Sequence, residues 1–340
     1  MKKHNRHHWD VVRRWPLLLL FLTFGVAQAQ QNIQFTQYMF NSLAVNPAYA
    51  GYKESWNAQA THRMQWISLP GAPVTSQLSV DGLLNADSKN VGLGLQFTND
   101  KLGPQSATSL YLDYAYRLPL DLDDTQRLCF GLGAGVTQYG LDGSVLDPVN
   151  ADDPLLSGNY EYSYIPDLRF GVYYFSKKWY AGASVMDMLS GDKSNGLFNW
   201  QLDSTTNVLR KRHYYLMGGL LMDLTNELKL RPSVLYKTDL KGPGSLDVSL
   251  LLIMKDLLWV GASYRTALAS SSSMGAASSL ALQNSVSGLF RIQIAHDFYV
   301  GYSFDWALTQ LNTVENGTHE ITVGWTLPKK YQRVLSPRFF

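Results

Sequence analysis

Apolar and polar residues alternate with a period of two through much of the chain beyond residue 55. Between residues 91 and 98 the apolar residues hold the odd positions, and between residues 108 and 118 leucine and tyrosine hold the even ones. Such alternation predicts strands with one apolar face, and windows of about ten residues fit a tilted strand that crosses a bilayer. We predict about fourteen antiparallel strands, give or take two, at residues 56–67, 74–81, 91–98, 108–118, 127–139, 166–175, 178–186, 213–223, 227–237, 245–254, 257–265, 284–295, 298–306 and 319–327.

From the fourth predicted strand onward, short and long connections alternate. The short gaps lie around residues 176–177, 225–226, 255–256 and 295–297. The long polar segments lie near residues 141–165, 187–212, 238–244, 266–283 and 307–318. Outer-membrane barrels have an even strand number, short periplasmic turns and longer extracellular loops, whereas a β-sandwich or propeller has no reason to alternate loop length. The pattern predicts an all-β fold, a transmembrane outer-membrane β-barrel.

The first 29 residues have the three-part layout of a secretory signal peptide. Basic residues precede position 15, an apolar run follows at residues 17–26, and small residues flank position 28. That run is shorter than the roughly 20 residues of a membrane-spanning helix. The single cysteine, Cys129, leaves no disulfide framework and no lipid-attachment cysteine after the cleavage site. We predict a signal peptide at 1–29 cleaved after Ala29, an N-terminal periplasmic segment at 30–55, the barrel at 56–327 and a C-terminal tail at 328–340.

The composition agrees with a barrel. Mean hydropathy is −0.14, while 13% of residues are aromatic and glycine occurs 27 times. Strands that alternate lipid-facing and lumen-facing residues average near neutral in this way. Lys and Arg number 29 against 27 Asp and Glu, so the charge gives no reason to expect nucleic acid as a partner.

Charged residues avoid the apolar face of the predicted strands, so we expect them to line the lumen. The residues concerned are Arg63, Asp113, Arg117, Asp167, Arg169, Arg231, Lys237, Asp247, Arg265, Arg291, Asp305 and Glu320. An Arg or Lys that faced lipid at the midplane would cost roughly 2–4 kcal/mol. Two interpretations follow, a water-filled pore or a lumen closed by ion pairs or by a plug. Similar numbers of both signs favour the closed lumen.

Nothing in the sequence predicts catalysis. The histidines of the mature chain are His62, His213, His296 and His319, which lie on distant strands and turns without nucleophile or metal spacing. The acidic loop at 147–154 lacks the ligand spacing of a calcium loop, and the Ser/Ala-rich segment at 270–279 has the composition of a flexible loop. We expect no catalytic residue, no cofactor and no metal site.

The segment after the predicted signal peptide is rich in amphipathic aromatics. It contains QFTQYMFN at 34–41 and LAVNPAYAG at 43–51, in which Asn46-Pro47 is a turn initiator. Later runs are QW at 65–66, PGAP at 70–73, SVDGL at 79–83, LRPSVLYK at 230–237, GYSFD at 301–305 and SPRFF at 336–340. Together these runs resemble the PorP/SprF family of type IX secretion and gliding-motility membrane proteins of the Bacteroidetes.

The resemblance implies an outer-membrane barrel that helps the type IX machinery to export particular substrates or attach them at the cell surface. The implied partners are the lipid bilayer, the periplasmic ring, peptidoglycan-associated components and a substrate's C-terminal sorting domain. Residues expected to bind a partner are Phe35, Tyr38, Met39, Phe40, Asn46, Pro47 and Tyr49. Aromatic residues need burial but do not say against what, so the same segment also fits a plug with no partner. The alternative function is a general or substrate-selective porin or transporter.

Overall fold

A computed structural model of the protein describes residues 33–85, 87–145, 160–189, 211–240, 242–268, 284–295, 297–327 and 340. The described residues form these strand segments: β1 Asn57–Met64, β2 Val74–Leu83, β3 Val91–Leu102, β4 Gln105–Pro119, β5 Arg127–Asp142, β6 Tyr160–Phe175, β7 Trp179–Met186, β8 His213–Leu220, β9 Met222–Asp223, β10 Leu228–Thr238, β11 Gly244–Met254, β12 Leu258–Leu268, β13 Ser285–Ala295, β14 Phe298–Ala307 and β15 Thr318–Thr326.

Each strand pairs antiparallel with its neighbours in sequence, apart from β8 and β9, which both pair with β10. Strand β15 pairs with β1 to close the sheet. The two residues of β9 continue β8 along the same edge of β10, opposite Lys229 and Leu230. Counted with β8 and β9 as one, the described strands make a closed barrel of fourteen, which confirms the predicted fold class and strand number. Closure removes the free edges that an open sheet would expose in lipid.

The connections differ between the two ends of the barrel. One end, the short-turn end, carries the links at 84–90, 120–126, 176–178, 224–227, 255–257 and 296–297. The other, the long-loop end, carries the links at 65–73, 103–104, 143–159, 187–212, 239–243, 269–284 and 308–317. All the predicted short gaps lie at the first end and all the predicted long segments at the second. Short turns face the periplasm in barrels of this kind.

The predicted strand faces are also correct. On β4, buried residues at odd positions from Ser109 to Arg117 alternate with exposed ones at even positions from Leu110 to Leu118. The exposed row is apolar because it meets lipid. None of the helices among the described residues is long and apolar enough to cross a membrane.

Several strands extend beyond their predicted ends. The link between β3 and β4 has two residues, 103–104, where the sequence indicated a gap from 99 to 107. Likewise β6 begins at Tyr160 rather than at 166. Alternation of polar with apolar residues arises only where one face of a strand meets lipid. Beyond the predicted ends of β3 and β4 the paired residues, such as Asn99 and Thr108, are polar on both strands. The pattern therefore stops before the hydrogen-bonded ladder does.

Candidate functional site: the occupied lumen

Residues 33–56, called the inner segment below, run through the lumen from the long-loop end to the short-turn end. Gln34 lies beside Trp66 and Glu315 of the long loops, and Trp56 leads into the opposite end of the wall at β1. Between them, two 3-10 turns at Ser42–Ala44 and Pro47–Tyr49 fold the chain compactly. The segment predicted to be periplasmic thus lies inside the barrel.

The Asn-Pro turn fixes the middle of the inner segment against the wall. The side chain of Asn46 accepts a hydrogen bond from the amide of Ala48 at 2.9 Å, which caps the short helix. Its Nδ2 atom donates to the carbonyl of Val172 on β6 at 3.0 Å. Pro47 follows at the first helical position, where a missing N–H costs nothing.

Glycines on the inward face of the wall make room for this backbone. A Cβ atom at Gly131 would lie closer than 3.0 Å to the backbone of Ala48, and one at Gly92 would do the same at the carbonyl of Ala50. So close an approach is open to glycine alone. Gly131, an inward glycine of β5, is the kind of sequence signal that could have indicated a chain inside the barrel. A Cβ at its neighbours Gly133 and Gly135 would meet residues of the wall instead.

A buried charged cluster, the Arg63 cluster, holds the inner segment near the long-loop end. Arg63 donates from Nη1 to Glu320 and to the Thr36 hydroxyl, both at 2.9 Å, and from Nη2 to Asp305 at 2.8 Å. The Glu320 carboxylate also accepts from the backbone amides of Thr36 and Gln37, at 2.8 and 2.9 Å. All the charged side chains of the cluster are at most 6% exposed. Hydrogen bonds to charged groups in such surroundings are the stronger kind.

Two lumen arginines lie against aromatic rings of the wall and the inner segment. The guanidinium of Arg291 stands 3.8 Å from the ring centre of Tyr299, 4.5 Å from that of Trp259 and 5.0 Å from that of Phe40. Arg231 donates to the carbonyl of Met39 at 3.3 Å. Cation–π contacts of this kind gain strength when desolvated. Of the two expected ways of closing the lumen, ion pairs or a plug, these two cations belong to the second, because they contact rings and a carbonyl of the wall and the inner segment.

The other predicted lumen charges also lie on inward faces of their strands. Arg265 pairs with Asp247 across β11 and β12, and Asp113 accepts from Gln96. Arg169 lies over the ring of Tyr111 at 3.2 Å. Arg117 donates a hydrogen bond to the carbonyl of Lys89, and Asp167 accepts one from the hydroxyl of Tyr111. Lys237 is buried, with 8% of its surface exposed.

An ion-pair network at the short-turn end was not predicted. The ammonium of Lys89 lies 3.1 Å from Glu54 of the inner segment and 3.3 Å from Asp124 of the next turn. Arg127 pairs with Asp124 and donates to the carbonyl of Lys89 at 2.9 Å. Glu54, Lys89 and Asp124 all have positive φ, of 60°, 53° and 54°, a costly conformation for residues with a Cβ atom. The turns that bring these charges together cannot be derived from strand periodicity.

A small pocket, the mouth pocket, opens above the Arg63 cluster at the long-loop end. Its volume is about 50 Å³, and its lining includes Gln34, Trp66, Asp305 and Glu315. Hydrogen bonds between the two loops frame it, among them Ile67 N to Gly317 O at 2.9 Å. Removal from solvent raises the pKa of the Glu315 carboxyl above its usual value.

The seven residues expected to bind a partner are buried inside the barrel. Tyr38, Met39 and Asn46 are at most 1% exposed. Phe35, Phe40, Pro47 and Tyr49 are buried as well. The aromatic residues find their burial against the wall of the same chain, as expected for a plug, and partner binding by these positions stays a prediction.

Phe340 also lies in the lumen, 4% exposed. Its carbonyl accepts from the hydroxyl of Tyr49 at 2.7 Å, and its ring lies 4.9 Å from that of Tyr180. The described chain therefore contributes to the lumen from both ends of its sequence.

The described histidines make separate contacts. His62 bonds to Ser76 at 2.9 Å, and His213 lies 3.2 Å from Asp187. The described residues contain no group of three or more His, Cys, Asp or Glu side chains that could hold a metal ion. The predicted signal peptide, the loops at 147–154 and 270–279, His296 and residues 328–339 lie outside the described residues.

Solved structures with a similar fold are outer-membrane barrels. The CymD monoaromatic hydrocarbon channel aligns with a TM-score of 0.52 at 12% identity, covering 88% of this chain and 94% of that one. Omp33 of Acinetobacter baumannii aligns with a TM-score of 0.45 at 8% identity, covering 81% and 100%. A FadL homologue of Pseudomonas aeruginosa aligns with a TM-score of 0.44 at 11% identity, covering 85% and 93%. At these identities the likeness shows the fold alone.

No curated protein matches the sequence. The family described as "Type IX secretion system membrane protein PorP/SprF" matches residues 27–325, which include all the strands of the barrel except the last residue of β15. The expected resemblance is confirmed over most of the chain. This protein, an outer-membrane β-barrel, belongs to the PorP/SprF family of type IX secretion system membrane proteins.

Proposed function

We propose that this barrel is a non-catalytic platform of the type IX secretion system that assists export or cell-surface attachment of specific substrates, such as adhesins. The observation that carries the proposal is the occupied lumen. A barrel whose interior is filled by its own inner segment, with Gln37 and Asn46 at 0% exposure, offers partners its two ends rather than a channel.

The two ends suit different partners. The short-turn end faces the periplasm, where the ring and peptidoglycan-associated components would meet it. The long-loop end faces the outside and carries long links at 187–212 and 269–284, where a substrate with a C-terminal sorting domain would be held. Loops on a rigid scaffold are the usual carriers of recognition. Family membership supports these partners, and gliding motility would follow if the substrate is a motility adhesin.

A porin or transporter is the alternative. The fold is shared with a hydrocarbon channel, and aromatic rings such as Trp259 and Tyr299 line the lumen. A transporter would need a path past the inner segment, however, and Arg231 in the middle of the lumen is 1% exposed. The platform is therefore favoured.

Affinity purification from native outer membranes in a gentle detergent, with mass spectrometry of the recovered proteins, tests the proposal. Recovery of type IX ring components, or of a large surface protein with a C-terminal sorting domain, is expected. An unrelated tagged barrel from the same membranes is the control for adventitious binding.

Planar-bilayer recording tests the alternative with a matched variant. The native barrel should show little conductance, whereas a variant lacking residues 34–51 should conduct once inserted, because that deletion removes most of the inner segment that fills the lumen. A native protein that purifies alone and conducts steadily would establish the porin instead.

A further inference from the structure

The lining of the mouth pocket includes residues with unpaired buried polar atoms. Asp305, with a side chain 6% exposed, accepts at Oδ2 from Arg63 at 2.8 Å and from the Thr36 hydroxyl at 2.7 Å. Its Oδ1 atom, the Oδ1 atom of Asn284 and the Nε atom of Arg63 are buried without a hydrogen-bond partner among the described residues. Asp305, Asn284 and Arg63 all line the pocket. Because an unpaired buried polar group is costly, these atoms indicate a ligand.

The unpaired atoms require a ligand that both donates and accepts hydrogen bonds. The oxygens of Asp305 and Asn284 are acceptors, whereas the Nε–H of Arg63 is a donor. A cation would only donate, and it would lie beside Arg63 and Arg265, which line the same pocket. An anion would only accept, and it would lie beside Asp305 and Glu315. A hydroxyl does both without adding a charge, so two neighbouring hydroxyls satisfy all three atoms.

The size of the pocket fits such a pair of hydroxyls. Its volume is about 50 Å³. Because roughly 10–15 Å³ is enough for one water, the pocket holds about three to five non-hydrogen atoms. A diol group, with two adjacent carbons and their two oxygens, falls within this range. The rest of a larger molecule would extend through the opening of the pocket.

Trp66 gives the pocket an apolar surface in a fixed position. Its φ of 50° is uncommon for a bulky residue. Its amide donates to the Thr318 hydroxyl at 3.0 Å, and the amide of Ile67 donates to the carbonyl of Gly317 at 2.9 Å. Strained backbone that its surroundings hold in place clusters at ligand sites. Together with Leu311, Trp66 lines the pocket with apolar atoms, which suit the C–H groups of a ring and are of no use to water alone.

We propose that the mouth pocket is a saccharide-binding site, in which two adjacent hydroxyls of a sugar are held by Asp305, Asn284 and Arg63 beside Trp66. The sugar is either free or at the end of a surface glycan, since both present the same hydroxyl pair at the long-loop end, which faces the outside of the cell. The site does not depend on the proposed role in secretion.

Saturation-transfer NMR on the purified full-length barrel, in a detergent without a sugar head group, tests the site. The probes are the methyl glycosides of glucose, galactose, mannose and N-acetylglucosamine. Asn284→Ala removes one acceptor, and Ala307→Phe fills the pocket with a ring. Asn312→Ala, the same change as Asn284→Ala at an exposed position outside the pocket, is the matched control. Heat-modifiable gel mobility confirms that each variant is folded.

At least one glycoside should bind the native protein. Its affinity should fall about tenfold in Asn284→Ala through the loss of one hydrogen bond, and its signal should disappear in Ala307→Phe and persist in Asn312→Ala. Lipopolysaccharide from the same cells, added as a competitor, distinguishes the two sources. Displacement of the glycoside supports a surface glycan, and retention supports a free sugar.

Absence of binding by all the glycosides and by lipopolysaccharide would overturn the proposal. Equal binding to the native protein and to the two pocket variants would do the same, because the sugar would then lie elsewhere. Binding of methylguanidinium in place of the sugars would also overturn it and would assign the pocket to a basic side chain. Each of these results leaves the recovery of secretion partners unaffected, so failure of the site is distinguishable from failure of the proposed function.

Discussion

Replacing Arg63 by methionine should destabilise the barrel strongly. Methionine keeps most of the length of the side chain but removes the three bonds of the guanidinium to Thr36, Asp305 and Glu320, at 2.8 to 2.9 Å. The two carboxylates would remain buried beside each other without their cation. Removing one partner from a buried ion pair costs about 3–5 kcal/mol, more than the 0–1 kcal/mol of an exposed pair.

The assay is a urea titration of the protein folded in liposomes, followed by the fluorescence of its tryptophans, among them Trp56, Trp259 and Trp325. The Arg63→Met variant should lose about 3–5 kcal/mol of unfolding free energy. The double variant Arg63→Met/Glu320→Gln should recover part of that loss, because it removes one of the two unpaired charges. Arg63→Lys should fall between the native protein and Arg63→Met, since an ammonium does not reproduce the fork of a guanidinium.

A loss below about 1 kcal/mol for Arg63→Met would refute the reasoning, because exposed pairs contribute that little. It would mean that the carboxylates are hydrated or protonated and that the Arg63 cluster does not hold the inner segment.

Three further predictions follow from the contacts. Gly131→Ala should cost about 1–3 kcal/mol by overpacking in the urea titration, because its Cβ would strike the backbone of Ala48. Gly288→Ala, with open space around it, should cost nothing measurable; equal losses for the two variants would contradict the close packing. Lys89→Met should cost roughly 1 kcal/mol of unfolding free energy in the same titration. Lys255→Met should cost nothing measurable, because the side chains of Lys255 and its partner Glu227 are both 68% exposed. Equal losses would show that the short-turn network is not specific. Leu112→Arg, at the centre of the lipid-facing row of β4, should cost about 2–4 kcal/mol of unfolding free energy, and Leu118→Arg near the strand end about 0–1 kcal/mol. Heat-modifiable gel mobility and urea titration measure both losses. Equal costs would place the bilayer elsewhere along the strand.

The strands and their faces were predictable because the bilayer imposes one rule along the whole chain. Wherever a face meets lipid, a period of two follows, so rows such as that from Leu110 to Leu118 identify both the strand and its outward face. The same rule placed the charged residues in the lumen. It did not identify the first residues of β6, where the exposed Tyr160, Tyr162 and Tyr164 alternate with the less exposed Glu161 and Ser163.

The contents of the lumen were not predictable by the same means. Periodicity says that Arg63 and Arg231 face inward, but not where they stand around the circumference. Arg63 meets Glu320 because the first and last strands pair to close the barrel. Arg231 meets the carbonyl of Met39 because the inner segment lies in the lumen. The aromatic run at 34–41 indicated a need for burial, yet burial against a partner and burial against the wall have the same sequence signature.

The distribution of contacts along the inner segment bears on the choice between platform and gated transporter. The Arg63 cluster supplies directional bonds at the mouth, while Met39, Phe40 and Leu43 lower down are 1–4% exposed. Burial of each such side chain contributes roughly 1.5–3 kcal/mol, so these three alone rival the cluster. Loss of the cluster should therefore lower stability without releasing the segment, and the conductance of Arg63→Met should stay low. A gate needs states within a few kcal/mol of each other, and a segment held independently at several levels does not meet that condition. This redundancy is the energetic reason to regard the inner segment as a permanent part of the barrel.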